Sequence, residues 1–199
     1  NNIIEVTKMR TNRWYIIKRY IKQYGAIVLL VMLNVLVYYL TSINYISTYS
    51  LALTPQSYDY RIITSMFIHF NVFHLLFNML TLSYFGYAVR KYFGTKRFLV
   101  IYFLSGIAGN VFLLLSPFIP RYIPSLSTLF TNLEHFDYSG GASGAIYGLW
   151  ASAIIIRRSL RGLLYAILVM LFYDLLTPYI AWEVHIMGFL TGLIITLTI

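Results

Sequence analysis

The chain has 199 residues and a formal net charge of +9, with 59% hydrophobic and 11% charged residues. Soluble domains carry about 25% charged residues, so this composition excludes an ordinary soluble globular domain. Disorder is excluded by the wealth of apolar and aromatic residues, and a transmembrane β-barrel by long apolar runs that do not alternate. What remains is an all-α integral membrane protein of several spans. The chain has no cysteine, which removes disulfides, thiol catalysis and cysteine-ligated metals.

A span takes about 20 mostly apolar residues. In chain order, residues 1–24 are basic and lack the apolar core of a secretory signal peptide. Apolar runs at 25–41, 72–89, 98–116, 140–156, 162–176 and 180–199 predict six spans, the fifth short and carrying Asp174 near its end. The expected organisation is a basic cytoplasmic segment, 1–24, followed by a six-helix membrane core, 25–199. Residues 42–71, with Pro55, Tyr60 and Arg61, read as a long outer loop partly embedded in the membrane interface. Residues 117–139, with Pro117, Pro120 and Pro124, read as a second long outer loop. No internal repeat or low-complexity segment is present.

The charges test this count. Of the 15 basic residues, 13 fall before the first span or in the connections 90–97 and 157–161, and only Arg61 and Arg121 fall on the other side. The positive-inside rule then puts both termini in the cytoplasm, most simply at the cell membrane, and makes the net charge a topology signal. No nucleic-acid partner is needed to explain it.

Ionisable groups within a span are functional candidates. His74 and Asn78 sit four apart on one face of the second span, with His69 just before it and Asn71 as an expected N-cap. Ser143 lies in GGASGAIYG, residues 140–148, and His185 in EVHIMGFLTG, residues 183–192. If the helices begin at Asn71, Gly140 and Ile180, all four lie about 5–10 Å below the outer surface. Gly140, Gly144 and Gly148 recur every four residues, as do Gly188 and Gly192, and small residues so spaced let membrane helices approach closely. A serine and a histidine brought together in this way suffice for nucleophilic catalysis, the histidine acting as base and then as acid. Asn78, His74 and the Ser143 backbone N–H are candidate oxyanion donors. Glu183, two residues from His185, is expected on another face, so the reading is a Ser–His dyad without a third member.

These residues resemble the rhomboid intramembrane serine proteases. The Gly-x-Ser-Gly motif is Gly141, Ala142, Ser143 and Gly144; the second-span signature is His69, His74 and Asn78; the sixth-span signature is His185, Gly188 and Gly192. The resemblance implies a six-helix rhomboid-like bundle with a membrane-associated first outer loop, cutting transmembrane substrates in or near the bilayer without ATP, metal or other cofactor. It implies a dyad of Ser143 and His185, an oxyanion hole including Asn78 and His74, and Tyr147 packed on the catalytic histidine. The fifth helix would be the lateral gate. Two departures stand out: Tyr60-Arg61 where the family often has Trp-Arg, and Gly86 with Arg90 where it often has Gly-x-x-x-Glu. The pattern also includes no extra cytoplasmic domain or seventh helix.

Each residue has a plainer reading. Ser143 alone would be a small packing residue and His185 alone a partner to a neighbouring helix; Asn34 and Asn110 read as interhelical glue, worth about 0.6 kcal/mol. A zinc site is disfavoured by the absence of His-Glu-x-x-His and of acidic ligands near His69, His74 and His185. His135 reads as a solvated loop residue. The expected partners are transmembrane protein substrates and membrane lipids; the alternatives are a catalytically inactive rhomboid-like client binder and a histidine-relay transporter, the latter weakened by the lack of a repeat.

Overall fold

The computed structural model describes residues 2–119, 138–162, 164–165, 167–168 and 181–199, with side chains from Arg13 onward. The first helix, α1 (Asn2–Ser42), runs through the expected boundary at residue 25 without a break. The physical reason is local. No proline occurs before Pro55, and Gly25 is the only glycine in the helix. It ends where Asn44 takes a positive φ of 56°, a conformation asparagine tolerates at helix C-termini. Ile27, Leu30 and Asn34 face the core, whereas Val28, Leu29, Met32 and Leu36 are half or more exposed. An apolar face this open fits a lipid surround rather than water.

The first outer loop folds into two short helices, α2 (Thr48–Leu51) and α3 (Arg61–Thr64), and a 3-10 turn over Ser65–Phe67. Tyr60 and Arg61 build it: the Tyr60 hydroxyl donates to the Ser50 carbonyl, and Arg61 pairs with Asp59 at 3.0 Å. Hydrogen bonds from Arg61 hold the Asp59 carboxyl below its ordinary range, and the same bonds raise Arg61.

The expected second and third spans fall in one long element, α4 (Val72–Leu115), with non-helical backbone only at Gly94, where φ is 82°. The connection expected around residues 90–97 is thus a one-residue break. The chain reverses there: a methyl on Gly86 would lie 3.1 Å from the Phe98 ring, although the two are twelve positions apart. Arg90 is buried beside this break, donating from Nη1 to the Gln23 carbonyl and from Nε to Thr95 Oγ1. The position expected to carry glutamate therefore holds a cation that ties α1 to the turn.

The runs expected to be the fourth and sixth spans hold the helices α5 (Ser143–Arg157) and α6 (Trp182–Thr198). Both start later than the apolar runs suggest. Residues 140–142 are not helical, and Gly141 adopts φ 145°, which only glycine takes without strain. Residues 160–162, 164–165 and 167–168 are helical; the rest of the fifth expected span lies outside the described residues, as do most of the second outer loop and His135.

Two helices, Arg13–Ser42 and Val72–Phe118, are long and apolar enough to cross a membrane, and Ser143–Arg157 and Trp182–Thr198 are shorter apolar helices. The core lies between them, with Leu30 of α1, Leu82, Phe98 and Tyr102 of α4, and Ala145 and Leu149 of α5 packed together. Helices α5 and α6 approach through glycine. A methyl on Gly188 would collide with the Gly144 carbonyl, and one on Gly192 with the Gly148 carbonyl. Farther along, Thr196 Oγ1 donates to Ser152 Oγ at 2.6 Å. Gly188→Val forces these helices apart, and overpacking of this kind costs about 1–3 kcal/mol or more. A lowered thermal unfolding midpoint in micelles checks this, with Ile186→Val, at an exposed position, as the control.

Candidate active site

Asn71 precedes α4 in extended conformation, and its side-chain oxygen accepts from the His74 backbone N–H at 2.8 Å. This N-cap fixes the first turn and so the start of the face that carries His74 and Asn78. Asn78 is buried, and one of its amide N–H groups donates to the His74 carbonyl at 2.8 Å. A primary amide has a second N–H, which this bond does not use.

The segment before Ser143 is held from the first outer loop. Leu53 and Ser139 exchange backbone hydrogen bonds at 2.8 and 2.7 Å, and the Gly141 N–H donates to the Ser65 carbonyl at 2.9 Å. Asn110, on the second limb of α4, donates to the Ile62 carbonyl and to Ser65 Oγ. It therefore joins a helix to the outer loop, which extends the simple gluing role expected of it. Asn34 donates to the Leu30 carbonyl of its own helix.

Gly141 is also a steric necessity. A methyl there would lie 3.0 Å from His74 Nε2 and 3.6 Å from Ser143 Oγ, so the imidazole edge and the hydroxyl border the same small space. Ser143 opens α5, and the first backbone N–H groups of a helix have no intrahelical partner and sit at the positive end of its dipole.

Across the glycine contact, Ser143 Oγ and His185 Nε2 are 2.8 Å apart. The Tyr147 ring, one turn along α5, stacks on the His185 imidazole with centroids 4.5 Å apart and planes at 19°. Tyr147 thereby limits the ring's rotation while leaving Nε2 on the serine. His185 is buried, and Gly144 lies against Val184, the residue before it. The depth agreement expected from helix starts at Gly140 and Ile180 rested on the wrong origins, because the helices begin at Ser143 and Trp182. Serine and histidine still meet, since the glycine contact between α5 and α6 sets their approach.

His69 is buried and edge-on to His74, with ring centroids 4.9 Å apart. Its Nδ1 faces the Phe67 carbonyl at 3.3 Å. Glu183, which its spacing set on another helix face from His185, is completely buried in the first turn of α6. The residues that sequence reasoning missed are Leu53, Ser65 and Ser139. Their role is carried by backbone groups or by pairing across many residues, and no side-chain motif signals it.

Burial, together with the nearby His74, pushes His69 down from 6.5 to about 3. The unfolded chain therefore takes up this proton first, and the stability from a neutral His69 is complete above pH 6.5 and lost as pH falls towards 3. At pH 5 the loss is about 2 kcal/mol. Thermal unfolding in micelles between pH 7 and 4 checks this, with a shallower pH dependence expected for His69→Gln. Asn71→Ala, which removes the cap, lowers stability by about 1 kcal/mol at every pH in that range.

Comparison with known proteins gives the chain's family. The family model described as the Rhomboid domain matches residues 56–199. The rhomboid protease AarA of Providencia stuartii is 38% identical over 108 residues, covering 54% of this chain and 37% of that protein. The rhomboid protease GluP of Bacillus subtilis is 30% identical over 143 residues, covering 67% of this chain and 25% of that protein. The inactive RHOMBOID-like protein 8 of Arabidopsis thaliana is 43% identical over 77 residues, covering 39% of this chain and 21% of that protein. The chain thus spans well under half the length of these three curated relatives.

Proposed function

The chain belongs to the rhomboid family, and on that premise we propose that it is an intramembrane serine endopeptidase cutting transmembrane protein substrates in or near the bilayer. The observation that carries this reading is the 2.8 Å approach of His185 Nε2 to Ser143 Oγ, within the range a general base needs. Ser143 Oγ attacks the scissile carbonyl carbon while His185 Nε2 takes the hydroxyl proton. The oxyanion is held by the Ser143 N–H, the free N–H of Asn78 and the imidazole of His74. His185 then gives its proton to the leaving amine as the C–N bond breaks, leaving an acyl-serine. A water, deprotonated by His185, attacks the acyl carbon and the proton returns to Ser143. Tyr147 is a positioning residue for His185, and Gly141 and Gly144 keep the space around the serine open. No cofactor enters this scheme.

In this reading α1, the two limbs of α4, α5, the segment 162–176 and α6 form the six spans, with both termini in the cytoplasm at the cell membrane. The first outer loop rests in the interface and covers a wet cavity above the dyad. The similarity to a relative named inactive supports a second reading, a client-binding rhomboid-like protein. The presence of both Ser143 and His185 at hydrogen-bond distance favours the enzyme.

A fluorophosphonate probe separates the two. Labelling of the folded protein at Ser143 is expected, lost in Ser143→Ala and reduced by at least about 10³-fold in rate in His185→Ala. Gly141→Ala, whose methyl meets the His74 ring, is expected to slow labelling by about 10²-fold, the cost of losing one oxyanion donor. A folded wild type that does not label overturns the protease reading.

A further inference from the structure

One groove lies away from the dyad, between α1, the first limb of α4 and the end of α5, with a volume of about 880 Å³. Part of its wall is apolar, built from Val28, Ile27 and Leu80. Lys91 and Arg157 line the groove as well, each over a tyrosine ring: Lys91 Nζ lies 5.8 Å from the Tyr87 centroid and the Arg157 guanidinium 5.6 Å from that of Tyr84. From Leu80 to Lys91 the helix rises about 16 Å, a length that suits a stretch of acyl chain below a headgroup.

No aspartate or glutamate lines this groove. Among the described residues the one ion pair is Arg61 with Asp59, so neither cation here is matched by a carboxylate. Both side chains are exposed, and Arg157 Nη2 donates to the Tyr84 hydroxyl at 3.2 Å, which fixes its head beside the groove. Cations held over tyrosines beside an apolar wall meet the demands of a phosphodiester whose acyl chain must stay in hydrocarbon.

We propose that this groove binds one anionic phospholipid of the cytoplasmic leaflet, its phosphate between Lys91 and Arg157 and an acyl chain along Val28, Ile27 and Leu80. The inference rests on the membrane placement argued above and is independent of proteolysis, because its readout is lipid retention.

The test is native mass spectrometry of the full chain in micelles, titrated with dioleoyl phosphatidylglycerol or dioleoyl phosphatidylcholine. Wild type is expected to hold one phosphatidylglycerol in preference to phosphatidylcholine. Each basic residue near a membrane surface is worth roughly a factor of five, so Lys91→Gln/Arg157→Gln weakens this binding by about 30-fold. Lys96→Gln/Arg97→Gln removes equal charge outside the groove and leaves the binding unchanged. Lys91→Gln alone, expected to lose about fivefold, decides the matter if the double variant does not fold. Equal losses in the two double variants, equal binding of both lipids, or no loss in Lys91→Gln would overturn the proposal.

Discussion

The bare backbone contact between α5 and α6 governs the rest of the site. Gly188 rests on the Gly144 carbonyl and Gly192 on the Gly148 carbonyl, with no room for a methyl at either place. In hydrocarbon there is little hydrophobic force to bring helices together, so van der Waals contact between close backbones has to do it. That approach lets a short serine side chain reach an imidazole at 2.8 Å. Larger residues at these positions would widen the gap by more than a hydrogen bond can span.

A second constraint comes from outside the helices. The first outer loop supplies the Ser65 carbonyl to the Gly141 N–H and pairs Leu53 with Ser139. Asn110 fastens that loop to α4. Together these bonds hold Gly141 at φ 145° and end the loop in time for α5 to begin at Ser143. The serine is thus placed where the orphan N–H groups and the helix dipole meet, which a helix beginning at Gly140 would not achieve. The cap at Asn71 does the corresponding work for the face bearing His74 and Asn78.

Much of this was legible in the amino-acid sequence. Charge asymmetry, apolar runs and the four-residue glycine spacing marked the helices and the close pair among them, and Tyr147 lies on His185 as the family resemblance implied. The helix starts were not legible, because the glycines at 140 and 141 continue the apolar pattern of α5 while their backbone leaves it. The Leu53–Ser139 pairing was hidden for a different reason: it joins backbone groups far apart in the chain, and no residue type is required for it. Arg90 shows a third kind of limit. Its opposite charge to the expected glutamate was readable, but the Gln23 carbonyl and Thr95 hydroxyl that satisfy it come from separate elements.

The central claim is that Ser143 and His185 act as one chemical unit on a peptide bond in the membrane. Its most direct test is cleavage of a labelled single-span model substrate co-reconstituted in liposomes with wild type, Ser143→Ala or His185→Ala. The account predicts site-specific cleavage by wild type and none by either variant. Cleavage by Ser143→Ala at the wild-type rate would contradict it.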